Sequence, residues 1–236
     1  MLPCYVIHLK RAHERSVSIA QEMTKFNNST FTIVPAIDVQ DPQNMRSFME
    51  INRIRLFNDQ IPKAPLACFL SHLKTFDLIY RTHRSGVAVI FEDDFQRIDS
   101  PKSSDVLIQE VLEELGDIDF DICFLGSLHR PPNPDYCSSG ENPVYKLDSK
   151  VTYNHYGTHA YLVNIQNIPK ILNILNDVRE GFDIQIFNGS HLGFLNTYVT
   201  KRDIFIQSSD VSYIQPIPWH VAYKAYCENG CSFVKN

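Results

Sequence analysis

The chain lacks any stretch built to enter a membrane. Its first residues, MLPCYVIHLKRAHERS, have neither the basic start nor the long apolar run of a secretory leader, and nowhere do roughly 20 apolar residues follow one another. A soluble, cytoplasmic protein is the expectation, and without an entry signal the sequons at Asn27, Asn28 and Asn188 read as chance matches. Excess positive charge is also missing: 22 Lys and Arg stand against 27 Asp and Glu, a net charge of −5. Nothing general therefore draws the chain to nucleic acid, and any phosphate must be met by a small local cluster. The six cysteines have no paired CxxC spacing and read as reduced, packed thiols, with Cys227 and Cys231 able to pair only in an oxidising compartment. There is no internal repeat.

What is present is ordinary globular material, 44% hydrophobic and 21% charged, long enough for one sizeable core. One domain over 1–236 is expected, with 211–236 readable as an extension. CYVIHL is a strand, and the following RAHERSVSIAQEMTKF spaces Val17, Ala20, Met23 and Phe26 for a helical face. FTIVPAI is a second strand ended near Pro35, and residues 40–62 are weakly helical. From Pro65 to Arg84 the stripe Leu66, Phe69, Leu70, Leu73, Phe76, Tyr80 predicts a buried helix face. GVAVIF suits a strand covered on both faces, SSDVLIQEVLEELG a helix between a capping serine and a glycine, and DFDICFLGS another buried strand. His129 to Asn142 reads as a long loop, QNIPKILNILNDVREG as a last clear helix and NTYVTKRDIFIQ as strand material. Strands alternating with helices predict an α/β fold with a mostly parallel central sheet flanked by helices.

Directly after GVAVIF come Glu92, Asp93 and Asp94. Like charges about 4 Å apart repel by roughly 4 kcal/mol at the effective dielectric of a protein surface, so the triplet must either turn into water or meet a cation. In open α/β sheets ligands bind beyond the carboxyl ends of the strands, where this triplet falls. A hard ion, Mn²⁺ or Mg²⁺, takes carboxylates together with the oxygens of a diphosphate.

Five segments in order resemble glycosyltransferase family 25, over roughly residues 4–210: YVIHLKRAHER, APLACFLSHLKTF, VIFEDDF, DFDICFLGS and GTHAYLVN. They match the family's opening strand with its arginines at Arg11 and Arg15, and its Cys-x-x-Ser-His helix at Cys68, Ser71 and His72. The remaining three match its Glu-Asp-Asp strand end, its aromatic-Asp-x-x-x-Leu-Gly strand and its Gly-Thr-x-x-Tyr segment. His8 stands where the family usually has asparagine, and Ala67 where it has glycine.

The resemblance implies a GT-A-like fold, a UDP-galactose or UDP-glucose donor, Mn²⁺ or Mg²⁺, and inversion at the transferred sugar. It implies a metal held by Asp94 and Glu92, with Glu92 or Asp93 near the ribose and His8, Arg11, Arg15, Ser71 and His72 around the donor. A late third metal ligand would be His220, or failing that His191, and the base would be Asp183 in EGFDIQIF, whose other reading is a helix cap. PIPWH around His220 reads equally as a rigid edge segment in which Trp219 packs over the core or a sugar ring. The acceptor would be a hydroxyl of a glycan or of a hydroxylated protein side chain. The alternative is a noncatalytic nucleotide-sugar or glycan-binding module of the same fold.

Overall fold

The computed structural model describes residues 1–57, 61–128, 144–147 and 157–208; the long loop expected at 129–142, Trp219, His220 and the stretch 211–236 lie outside them. The chain opens with strand β1 (Leu2–His8), helix α1 (His13–Met23), β2 (Ser29–Pro35) and α2 (Pro42–Ile51). β3 (Arg55–Leu56), α3 (Lys63–Thr82), β4 (Val87–Glu92), β5 (Phe95–Arg97) and α4 (Ser104–Leu115) follow. The remainder is β6 (Ile122–Phe124), β7 (Val144–Lys146), β8 (Ala160–Asn164), α5 (Ile168–Leu175), β9 (Asp177–Val178), α6 (Phe182–His191), β10 (Thr197–Thr200) and β11 (Phe205–Gln207).

The central sheet has seven strands in the order β2-β1-β4-β8-β6-β10-β7. β2, β1 and β4 pair in parallel, as do β6 and β10. β8 runs antiparallel to both β4 and β6, and β7 antiparallel to β10, so all strands but β8 and β7 point the same way. The α/β, GT-A-like architecture with a mostly parallel sheet is therefore present, with one reversed strand in its middle. Because β1 and β4 are in parallel register, with Ile7 opposite Glu92, His8 and the acidic triplet leave the sheet at the same edge.

Apolar side chains cover both faces. One cluster joins Phe69, Leu70 and Phe76 of α3, Ile168 of α5 and Ile186 of α6 to Tyr161 of the sheet; the other joins Ile19 of α1 and Ile108 and Leu115 of α4 to Phe91 and Phe205. The stripe expected on α3 is buried from Leu66 to Phe76, with Tyr80 half-buried. Of the face expected over residues 17–26, Met23 and Phe26 pack against the core, but Val17 and Ala20 do not. Val17 is 62% exposed, and the helix turns Arg15, Ile19 and Glu22 inward. The reason is polar: Glu22 accepts from the Arg97 amide at 2.9 Å, and Arg15 reaches the acidic triplet. These two residues, two turns apart, tie α1 to the chain just beyond β4.

Other boundaries shift for local reasons. Ser103 caps α4 by position, though its hydroxyl makes no capping bond, and Gly116 ends the helix at φ 49° as glycine permits. The last clear helix shortens to α5, and EGFDIQIF becomes the separate helix α6. NTYVTKRDIFIQ divides into β10 of the main sheet and β11, which pairs antiparallel with β5. β11 crosses directly over Gly126, where a Cβ would lie 2.0 Å from the Phe205 carbonyl oxygen, so only glycine admits the crossing.

Asp121, the acid of the DFDICFLGS segment, sits at the start of β6, away from the strand end. It is fully buried, and its Oδ2 accepts from Lys170 Nζ of α5 at 2.6 Å and from the Asn196 amide before β10 at 2.7 Å. Its removal leaves the half-buried Asn196 amide without this acceptor and breaks the Lys170 pair, so Asp121→Ala should lower the unfolding free energy by about 1–3 kcal/mol in a urea titration. A change within about 0.5 kcal/mol would show that this clamp is not structural.

Candidate active site

At the carboxyl edge of β1 and β4 a cleft opens between the segment after β2, the start of α3 and the acidic triplet. Leu9, Arg11, Arg15, Asp38, Cys68, Ser71, His72, Glu92, Asp93 and Asp94 all line it. The three acids are held in three different ways.

Asp93 is neutralised from the α1 side. Arg15 NH1 donates to its Oδ1, while Oδ2 accepts from the Leu9 amide at 2.9 Å and lies 3.1 Å from His8 Nδ1. His8 is itself held by Ser16 Oγ at 3.1 Å. Burial alone would lower the Arg15 pKa, but the charges of Asp94 and Asp93 outweigh it and hold the guanidinium more firmly protonated than usual.

Glu92 is held from the α3 side. Its Oε1 lies 3.3 Å from His72 Nε2 and accepts from the Thr158 hydroxyl. Burial pushes this carboxyl up, yet the His72 bond and charge and the Thr158 bond prevail and bring it below the ordinary carboxylate range. His72 is oriented in turn by the Tyr161 hydroxyl, 2.8 Å from Nδ1, and stacks on Phe182 at a centroid distance of 4.0 Å.

Asp94 is the least satisfied. Its Oδ2 accepts from Gln207 Nε2 at 2.8 Å and lies 3.4 Å from Arg15 NH1. Its Oδ1 is buried with no hydrogen-bond partner among the described residues. Burial and the charge of Glu92 push its pKa to about 7, against the pull of Arg15 and Gln207.

The other expected residues fall around these. Arg11 pairs with Asp38 at 3.0 Å on the rim and is 32% exposed. Ser71 acts on the backbone: its hydroxyl donates to the Ala67 carbonyl at 2.7 Å and accepts from the Ile37 amide at 2.8 Å, fixing the wall after β2. Asp183 is the second residue of α6, after the cap Gly181. It accepts from the Ile184 amide at 2.9 Å and the Gly157 amide at 3.3 Å, and burial raises its pKa. His191, the second choice for a late metal ligand, closes α6, where it is exposed and its ring lies 5.8 Å from that of Phe187.

Sequence reasoning had no role for Thr158, Gly157, Gln207, Asp38 or Tyr161. For Thr158 and Gly157 a signal existed. GTHAYLVN places the glycine amide on Asp183 and the next hydroxyl on Glu92, and Gly157 at φ 95° sits where a Cβ would strike Leu128. Gln207 carried none, because only the β5–β11 pairing brings it to Asp94.

An α/β sheet with an acidic cleft beyond its strand ends is a form that glycosyl-transferring domains take. The family model described as glycosyltransferase family 25 (LPS biosynthesis protein) matches residues 1–186, and the chain belongs to that family. Its chemistry is glycosyl transfer. No curated protein matches the chain. Among the described residues no helix is long and apolar enough to cross a membrane.

Since the folded protein binds the Asp94 proton more tightly than the unfolded chain, the contribution of this group to the stability of the metal-free protein falls as pH rises from about 4 to about 7. Asp94→Asn should therefore raise the thermal midpoint at about pH 8, by an amount that shrinks as the pH is lowered through 7. An unchanged or lowered midpoint at the alkaline end would contradict this picture of the site.

Proposed function

We propose that the chain transfers galactose or glucose from a UDP-sugar to an acceptor hydroxyl, with inversion and dependence on Mn²⁺ or Mg²⁺. The observation that carries this reading is the buried Oδ1 of Asp94, without a hydrogen-bond partner among the described residues, in a cleft that also holds Glu92. Such an oxygen suits a hard divalent ion, and Asp94 with Glu92 would hold it. When bound, the ion offsets the negative charge that develops on the departing diphosphate. His220 as a third ligand lies outside the described residues.

The remaining roles follow from placement. Arg15 is buried against Asp93 and Asp94, whereas Arg11 sits at the more exposed rim, paired with Asp38. The donor diphosphate is met there by Arg11, whose guanidinium fork suits phosphate oxygens and would share or exchange its carboxylate partner for them. Asp93 with His8 serves the donor indirectly, by holding the β1 and β4 ends together. Ser71 keeps the wall after β2 in place, and His72 orients Glu92.

Asp183 takes the proton of the attacking hydroxyl. Burial makes it a stronger base than a solvated carboxylate. The description of the family as one of lipopolysaccharide biosynthesis favours a glycan acceptor over a hydroxylated protein side chain.

UDP release from a panel of UDP-sugars, with and without Mn²⁺, tests the reading. One hexose donor should be turned over in a metal-dependent way, and Asp94→Asn should abolish that turnover while the protein stays folded. UDP binding without turnover of any donor would make the chain a binding module.

Asp183→Asn should reduce kcat about 10²–10⁴-fold with donor affinity retained. The activity of the parent protein should fall on acidification through a pKa above the ordinary carboxylate value, because the base must be deprotonated. Full kcat in the Asn variant would remove Asp183 from the mechanism.

A further inference from the structure

Cys68 and His72 are four residues apart on α3 and so share one helix face, which meets the end of β4. A thiol sulfur, an imidazole nitrogen and a carboxylate oxygen from Cys68, His72 and Glu92 all lie within 4.8 Å of one another. All three residues line the cleft. His72 Nε2 and Glu92 Oε1 are 3.3 Å apart. A nitrogen and an oxygen bound tetrahedrally at about 2.0–2.1 Å stand about 3.3 Å from each other, so this pair already has the span of two zinc ligands.

The supporting contacts are those of an oriented ligand set. The Tyr161 hydroxyl beside Nδ1 and the stacked Phe182 ring fix His72, and Thr158 fixes Glu92. We propose that Cys68, His72 and Glu92 form a three-ligand site for a thiophilic divalent ion of the zinc class, with its fourth position toward the cleft. A thiolate selects such an ion over Mn²⁺ or Mg²⁺, which makes this site chemically distinct from the all-oxygen one at Asp94. Binding displaces to solvent both the Cys68 thiol proton and the proton that His72 Nε2 holds toward Glu92, leaving the remaining imidazole proton on Nδ1 beside the Tyr161 hydroxyl.

Glu92 belongs to both sites. An ion held by Cys68 withdraws it from the hard-metal site and inhibits transfer, a consequence that rests on the transferase reading.

The direct test is a Co²⁺ titration of the full chain. A thiolate-to-cobalt charge-transfer band should appear, persist in a variant with Cys227→Ser and Cys231→Ser, and vanish in Cys68→Ser. In competition with a chromophoric chelator, Cys68→Ser and His72→Gln should each weaken Zn²⁺ binding by at least about 10–100-fold. A band unchanged in Cys68→Ser, or no band in the parent protein, overturns the site and leaves the His72–Glu92 contact as a hydrogen bond.

Zn²⁺ inhibition of UDP release, relieved in Cys68→Ser, tests the coupling separately. Co²⁺ binding without that inhibition supports the site and overturns its link through Glu92. A protein that releases no UDP yet gives the band supports the site and refutes the transferase reading alone.

Discussion

The pairing of Arg15 with Asp93 is the interaction on which the cleft depends. Three successive carboxylates at a sheet edge repel one another by several kcal/mol unless a counter-charge is built in. Here that charge arrives from α1, and both partners are over nine-tenths buried. Breaking such a pair leaves a buried charge alone, at a typical cost of about 3–5 kcal/mol, so the position of α1 and the conformation after β4 are mutually dependent. Glu22, binding the Arg97 amide two turns along the same helix, gives that dependence a second point of attachment.

With Asp93 neutralised, its two neighbours take opposite characters although only one residue separates them. Glu92 faces α3, where hydrogen bonds to its charged form hold it ionised. Asp94 faces the β5–β11 pair, where one amide and a more distant guanidinium do not match the cost of burial, and its pKa rises to about 7. Environments that push adjacent carboxyl groups apart are a mark of sites arranged for chemistry rather than for stability. In the proposed reaction a divalent ion would offset that tension at Asp94.

Much of this was legible in the residues, and the failures have definite causes. An apolar run such as GVAVIF announces a covered strand but not its direction, so the reversed β8 between β4 and β6 was invisible: an antiparallel strand buried on both faces has the same composition as a parallel one. Helical periodicity put Val17 and Ala20 inside α1 because it counts apolar residues, whereas this helix is oriented by two charged ones. The acidic triplet was readable as a site candidate because its chemistry is local; the Cys-x-x-Ser-His helix and Asp183 became candidates only through the family resemblance. What those groups touch was not, since Arg15 to Asp93 spans 78 residues and Gln207 to Asp94 spans 113, and such distances close only through sheet register.

Register also explains why one short segment serves two acids. β8 begins at Ala160, so the residues just before it approach the strand end from the opposite direction to β4, and the His159 carbonyl accepts from the Glu92 amide at 3.0 Å. That antiparallel meeting sets Thr158 against the Glu92 carboxylate and the Gly157 amide against Asp183. The parallel neighbour β1 reaches this edge with the residues that follow it, as Leu9 does at Asp93, whereas β8 reaches it with the residues that precede it. In the proposed reaction the acid on the donor side and the base on the acceptor side are thus spaced by adjacent residues of one backbone. One tie is the Gly157 backbone amide and the other the Thr158 hydroxyl, so a displacement of this segment shifts the partners of both acids together.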